Sequence, residues 1–251
     1  MTDVISTPKN NVLYAGLLPP NEAYVTESLI FPGMNARDPF DLKGSFNFVC
    51  KVMSAGRELI RTESFSCDEK GHVVINLDAC LKKADAAAAS FSIVEVESSS
   101  NIPVSFYFAH IHRATGLYCA SPAMAFMGDL IYPQFHTNLL ENTLFWPGLP
   151  SGSDTEFRLA VANPYDIPMS FEVTVWHNIH GQCGGGVRKV SPGDCAWISV
   201  DDLTPDSWRD EEGPASLCVS AQFKLVAWMA MVSRSTGIIT SADHLHAYRL
   251  H

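Results

Sequence analysis

The chain has 251 residues, of which 47% are hydrophobic and 18% charged, a composition typical of a folded globular protein rather than a disordered one. Its formal net charge is −10, from 27 acidic and 17 basic residues, and no run of lysine and arginine occurs. This charge argues against a surface for nucleic acid or anionic lipid, and no apolar run is long enough to span a bilayer.

The seven cysteines are odd in number, widely spaced and form no Cys-x-x-Cys pair. The first residues also lack the basic and apolar regions of a secretory signal. Both features predict reduced thiols in a cytoplasmic protein. Residues 1–11 are polar and are predicted to form a mobile N-terminal arm.

Most of the stretch 103–116 recurs 121 residues later, at 225–237. We therefore predict an internal duplication, with one repeat over 12–128 and the other over 129–251. The aligned pairs are Tyr107 with Trp228, Ala109 with Ala230, Ile111 with Val232, Arg113 with Arg234, Thr115 with Thr236 and Gly116 with Gly237.

Two further pairs of segments support the duplication. An apolar run closed by Pro-Gly at 28–33 aligns with 143–148 at an offset of 115, and the segment 74–78 aligns with 197–201 at an offset of 123. The change of offset predicts an eight-residue insertion in the second repeat.

Alternating polar and apolar residues, as in 46–52 and 171–175, indicate strands with one face on a core. Because amphipathic helices are scarce, we predict an all-β fold of two tandem antiparallel β-sandwiches.

The repeated stretch has two strand faces. One face keeps its chemical type between the copies, from Tyr107 to Trp228, and is assigned to the sandwich core. The other face has diverged but stays largely apolar, as His110 and Met231 show, and is predicted to contact the other repeat or another subunit. The protein is therefore expected to be a homo-oligomer.

Two His-x-His pairs are candidate metal ligands, because alternate residues of a strand point the same way. The pairs are His110 with His112 and His244 with His246. No carboxylate occurs from residue 113 to 128, so the first pair lacks the glutamate that completes a cupin motif. Structural histidines are the preferred interpretation, and a metal-dependent enzyme that uses a divalent ion is the alternative.

Arg113 and Arg234 could bind carboxylate or phosphate ligands at two equivalent loops, since guanidinium offers a fixed fork of donors. The preferred reading is structural, with Arg-x-Thr-Gly forming a turn that both repeats need. The sequence contains neither a nucleophile elbow nor a P-loop, so we predict no catalytic residue and no cofactor. Exposed tryptophans could stack on sugar rings, which makes carbohydrate binding a third hypothesis.

The order of segments around 155–240 is a strand, a turn, a strand with outward charge, a short apolar strand ending in Asp, and a hairpin. This order resembles the small β-sandwich of the sensory rhodopsin transducer family. The resemblance implies an oligomeric, non-catalytic binding or transducer-like protein and transfers no functional residue. We therefore expect a binding or structural module with a small-molecule or protein ligand.

Overall fold

The computed structural model describes residues 12–17, 19, 23–32, 45–53, 59–68, 73–77, 79, 91–98, 104–127, 143–149, 154–165, 167–204 and 215–247. The predicted arm at 1–11 lies outside these residues. Within the described ranges, β-strands account for most of the chain, and a 3-10 helix covers Val200–Leu203.

The strands before residue 128 are β1 (Val12–Leu17), β2 (Tyr24–Pro32), β3 (Ser45–Met53), β4 (Leu59–Asp68), β5 (Val73–Asn76), β6 (Phe91–Ser98), β7 (Val104–His112), β8 (Tyr118–Pro122) and β9 (Met124–Met127). Those after it are β10 (Thr143–Leu149), β11 (Thr155–Ala162), β12 (Met169–His177), β13 (Gly181–Val190), β14 (Cys195–Ser199), β15 (Ala215–Ala221), β16 (Val226–Ser233), β17 (Ile239–His244) and β18 (His246–Ala247).

The strands form two pairs of sheets. The first sheet pair has a five-stranded sheet in the order β4-β3-β6-β1-β9 and a four-stranded sheet in the order β5-β2-β7-β8. The second sheet pair has the orders β13-β12-β15-β10-β18 and β14-β11-β16-β17, which are the first orders with nine added to every number. The strand pairings are antiparallel, as in β2 with β7 and β11 with β16, so the prediction of an all-β antiparallel fold is confirmed.

The strand register repeats as well. Ser28 is paired with Ile75 and Phe108 in the first four-stranded sheet. In the second, the same place is taken by Leu159, which is paired with Ile198 and Met229. The offsets from Ile75 to Ile198 and from Phe108 to Met229 are 123 and 121, which are two of the offsets found in the sequence.

The third offset, 115, is wrong. The first of the two Pro-Gly runs lies at the end of β2, in a four-stranded sheet, whereas the second lies in β10, in a five-stranded sheet. The register partners Ile30 and Val73 are 43 residues apart, and their equivalents Val161 and Ala196 are 35 apart. The eight additional residues therefore lie in the first half. An apolar run before a turn occurs at many strand ends, so this signal alone did not identify the strand.

Each sheet pair packs as a sandwich. In the second, one buried cluster joins residues of both sheets, including Phe157 and Met229 from the four-stranded sheet and Phe171 and Leu217 from the five-stranded sheet. In the first, the Phe108 ring packs so closely on Gly16 of β1 that a Cβ there would overlap it. The inner face of each four-stranded sheet thus meets its five-stranded partner.

The predicted assignment of the two strand faces is wrong. Met229, from the diverged face, lies inside the second sandwich, whereas Trp228, Ala230 and Val232, from the maintained face, belong to a separate cluster that includes Tyr24 of the first sheet pair. Both faces are apolar in sequence, so residue type could not show which one is covered by the partner sheet. We call the Trp228 side the outer face.

Candidate functional site

The Arg-x-Thr-Gly turn has the same geometry in both sheet pairs. The Gly116 N–H donates to the His112 carbonyl at 2.8 Å, and the Gly237 N–H donates to the Ser233 carbonyl at 2.7 Å. Both glycines have φ of 70°, a left-handed conformation that other L-residues rarely adopt. The threonine hydroxyl of each turn also accepts a backbone N–H at 3.3 Å, from Leu117 in the first and Ile238 in the second.

The arginines are the first residues of these turns. The backbone N–H of Arg113 donates to the backbone carbonyl of Ala23 at 2.8 Å, and that of Arg234 donates to the backbone carbonyl of Asp154 at 2.7 Å. The Arg234 guanidinium also forms an ion pair with Asp201 at 2.6 Å, and this carboxylate raises the pKa of the arginine above its ordinary value. Arg234 thus links the turn to the 3-10 helix, while part of its side chain remains exposed.

His110 is enclosed in the first sandwich. Its Nδ1 lies 3.2 Å from the Thr26 hydroxyl and its Nε2 lies 2.9 Å from the Ser121 hydroxyl. Because a hydroxyl can either donate or accept, both nitrogens of a neutral imidazole have a partner. Burial lowers the pKa of His110 to about 4, so the ring is neutral at pH 7. This is the environment of a core histidine, and its two hydroxyl partners, 84 and 11 residues away, were not predictable from the local sequence.

His112 lies near the end of β7, on the same strand face as His110. Its ring meets Tyr24 edge to face, with centroids 5.2 Å apart, and its Nδ1 lies 2.9 Å from the Thr115 hydroxyl. His112 therefore joins the turn to strand β2.

The rings of the second histidine pair lie close together, with centroids 4.8 Å apart, but the two residues do not share a strand as predicted. His244 ends β17 in the four-stranded sheet, and His246 begins β18 in the five-stranded sheet, because the chain crosses between sheets at the buried Leu245. The Nδ1 atom of His244 lies 3.0 Å from the Asp243 carboxylate. The ring of His246 is stacked on that of Trp146, with centroids 6.5 Å apart. The part of the chain that the structure describes contains no group of three or more His, Cys, Asp or Glu side chains suited to a metal ion.

Three consecutive glycines lie inside a strand rather than in a loop. Gly184 to Gly186 belong to β13, and a Cβ at Gly184 would overlap the Leu203 carbonyl of the 3-10 helix. The turn itself is at 178–180, where the rings of His177 and His180 stack with centroids 5.0 Å apart.

The two sheet pairs are joined by a contact that the sequence did not reveal. The fully buried Trp228 donates its indole N–H to the Pro122 carbonyl at 3.1 Å. The Tyr24 hydroxyl accepts the Ile239 N–H at 2.8 Å. Leu17, Tyr24 and Cys119 of the first sheet pair pack against the outer face of the second four-stranded sheet. The three residues are distant in sequence, so no local pattern groups them.

Comparisons with known proteins add little. No protein-family model matches the chain, and no curated protein matches it. The solved structures that match it include three with low similarity. A Bacteroides uniformis β-glucuronidase has a TM-score of 0.22 at 8% identity over 96% of this chain and 27% of the other. A glycoside hydrolase family 2 β-glucuronidase has 0.18 at 7% over 94% and 24%. A family 2 member from Bacteroides cellulosilyticus DSM 14838 has 0.19 at 6% over 96% and 30%. The chain thus spans less than a third of each, and TM-scores this low assign no function.

The helices within the described ranges are too short or too polar to cross a membrane.

Proposed function

We propose that the protein is a non-catalytic binding or structural module, homo-oligomeric and cytoplasmic, built from two homologous β-sandwiches. One observation carries the proposal: a strand edge of the first sandwich covers the outer sheet face of the second through Tyr24, Cys119 and Pro122. A contact of this kind joins two small domains into one unit. The joined unit offers a partner a larger surface than either domain alone.

Duplication of an ancestral sandwich accounts for the repeated strand order and register. It also accounts for backbone hydrogen bonds that recur at equivalent places. The Ala123 N–H donates to the Phe106 carbonyl at 3.0 Å, and the Leu245 N–H donates to the Ala227 carbonyl at 2.9 Å. Both bonds form where the chain crosses from the four-stranded to the five-stranded sheet. Two unrelated sandwiches would not be expected to agree at this level.

The competing proposal is a metal-dependent enzyme that uses His110 and His112 or His244 and His246. The hydroxyl partners of His110 favour the structural role, because a metal would displace Thr26 or Ser121 from a buried nitrogen. Elemental analysis of untagged protein decides between them. We expect zinc, iron and manganese far below one per chain. A stoichiometric metal that is lost on His110→Ala or His244→Ala would overturn the non-catalytic proposal.

Carbohydrate is the second candidate ligand, because one tryptophan is exposed on a sheet surface. Trp176 is 47% exposed on β12 and is paired with Gln182 and Ser216, whose polar side chains share its face. An aromatic ring flanked by hydrogen-bonding groups is suited to a sugar ring. A glycan array would test this, with Trp176→Ala expected to abolish any signal and Val187→Ala, 64% exposed on the neighbouring β13, expected to retain it. No binding at high protein concentration would count against this ligand.

The redox state of the cysteines tests the proposed cytoplasmic location. Cys119, Cys195 and Cys218 are free thiols in the structure, and burial raises the pKa of Cys119 to about 11. Thiol titration of the denatured protein should return all seven cysteines in reduced form. A titre of five or fewer in protein isolated with thiols blocked would contradict a cytoplasmic setting.

A further inference from the structure

Strand β8 belongs to the first sheet pair but also contacts the second. It has five residues and comes last in the strand order β5-β2-β7-β8, so β7 is its neighbour in the sheet. It also lies against β17 of the second sheet pair. Its Pro122 carbonyl accepts the indole N–H of Trp228 at 3.1 Å, and its Cys119 packs in the buried cluster that contains Trp228. A movement of β8 would therefore weaken the contact between the two sandwiches.

The His110 imidazole is attached to β8 from inside the first sandwich. Its Nε2 lies 2.9 Å from the hydroxyl of Ser121, and its Nδ1 lies 3.2 Å from the hydroxyl of Thr26 on β2. Ser121 stands in the chain between Cys119 and Pro122, the two residues of β8 that meet the second sheet pair. The imidazole thus bonds to the same short strand that holds the second sandwich.

No carboxylate shares the sheet face of His110 among the residues that the structure describes. The titratable side chains on that face are Tyr24 on β2, His112 on β7 and Cys119 on β8. Glu27 of β2 points to the opposite face of the sheet. Because His110 is fully buried, a charge on its ring would lose hydration without gaining an ion pair.

The elements packed around this face do not supply a free anion either, as far as the structure describes them. Strand β1, which packs across the interior, has the sequence VLYAGL and contains no charged residue. Burial raises the pKa of Tyr24, and the nearby Arg158 of the second sheet pair opposes this shift. Arg158 donates two hydrogen bonds to Glu156, at 2.9 and 3.0 Å, so this carboxylate is already paired. On β17, the Asp243 carboxylate lies 3.0 Å from Nδ1 of His244.

We propose that His110 is an acid-sensitive switch for the contact between the two sandwiches. When the imidazole is protonated, β8 moves away from it and lets water reach the ring, and the contacts of Cys119 and Pro122 with the second sheet pair break. Strand β8 is suited to this movement because it is short and lies at the end of its sheet. The inference goes beyond the proposed function, since it concerns a conformational change within one chain.

The direction and size of the effect follow from the two protonation equilibria. The pKa of His110 is lowered by burial to about 4 in the closed arrangement and should return to its ordinary value of 6.5 when water reaches the ring. The open arrangement therefore binds more protons between these values, and the closed one loses stability as the pH falls below 6.5. From pH 7.5 to pH 5, the equilibrium constant for opening should rise about 25-fold.

Amide hydrogen exchange of the full chain, followed by nuclear magnetic resonance and corrected for the intrinsic effect of pH, tests the switch. The amides of β8 and the Ile239 N–H, which donates to the Tyr24 hydroxyl, should lose protection about 25-fold between these pH values. The amides of β12 and β15 in the second sandwich should keep theirs. An equal loss throughout the chain would indicate global unfolding and overturn the proposal.

Two variants assign the effect to His110. His110→Gln does not titrate, and its side-chain amide can donate to one hydroxyl and accept from the other, so the loss of protection at pH 5 should disappear. His246→Gln changes an exposed histidine on β18 and should leave the loss unchanged. A response that persists in His110→Gln would overturn the proposal.

The wild-type imidazole resonances keep the test decisive if His110→Gln does not fold. The His110 ring should titrate over the same pH range in which β8 loses protection. Titration of this ring while β8 stays protected would refute the switch and leave the proposed module unaffected.

Discussion

The two sheet pairs share one strand order but fill their interiors differently. In the second, Phe157 and Leu159 belong to an apolar cluster, against which Met231 packs. At the equivalent positions of the first, Thr26, Ser28 and His110 are buried. The same topology therefore accepts apolar or polar side chains at these inward positions, and the buried imidazole has a partner at both nitrogens. Strand pairing and turn chemistry, rather than particular interior residues, are common to both.

The outer faces of the two four-stranded sheets also differ. That of the second sheet pair is covered, whereas that of the first is open. The largest effect is therefore expected from truncating the covered face. Trp228→Ala should destabilise the protein by about 3–5 kcal/mol, because a fully buried indole is removed and the Pro122 carbonyl loses its donor. Tyr107→Ala at the equivalent, half-buried position should reduce stability by about 1 kcal/mol. Urea unfolding followed by circular dichroism, at concentrations where the chain is monomeric, measures both. Equal losses would mean that the two faces are covered alike.

The buried His110 of the first sheet pair should make stability depend on pH. The folded pKa of His110, about 4, lies below its ordinary value of 6.5, so between these values the unfolded chain binds more protons. Stability should therefore fall as pH drops below about 6.5, by roughly 2 kcal/mol between pH 7.5 and pH 5 from this group.

The matched control for this pH effect makes the surroundings of position 110 apolar. The triple variant Thr26→Val, His110→Met, Ser121→Ala removes the imidazole without leaving either hydroxyl unpaired. Denaturation midpoints at the two pH values should differ less in the variant than in wild type. An unchanged difference would assign the pH dependence to other groups.

The hydrogen bond from the Ile239 N–H to the Tyr24 hydroxyl should contribute a smaller amount. Tyr24→Phe keeps the ring but leaves the buried Ile239 N–H without its acceptor, which should reduce stability by about 1–3 kcal/mol. Tyr118→Phe removes a hydroxyl from an exposed side chain and should change stability by less than about 0.5 kcal/mol. Thermal unfolding of the two variants side by side makes the comparison. A neutral Tyr24→Phe would show that water replaces the bond.

The turns are the features in which the sheet pairs agree, so they should respond alike. Gly116→Ala and Gly237→Ala should each destabilise by about 1 kcal/mol, because both glycines have φ of 70° while a Cβ there would meet no neighbouring atom. Asparagine tolerates this conformation, so Gly116→Asn and Gly237→Asn should each destabilise the protein less than the corresponding alanine substitution. Melting temperatures of the four variants provide the measurement. A large effect at only one turn would mean that the two turns are not equivalent in energy.

Much of the fold was determined by the sequence alone. Alternation indicated strands, as in Phe171 to Val175, and the offsets of 121 and 123 matched the register of the four-stranded sheets. The Arg-x-Thr-Gly turns were also predictable, because their glycine φ and threonine hydrogen bonds are set within a few residues. These features depend on local geometry, which the order of residues encodes directly.

Only the tertiary structure decided which face of each strand lies inside, which residues surround His110, and that His244 and His246 belong to different sheets. The alternation of side chains along a strand shows which residues share a face. When both faces are apolar, it does not show which face meets the partner sheet of the sandwich. That choice depends on elements far apart in the chain. Tyr24 meets Ile239 across 215 residues, and no local pattern records such a contact.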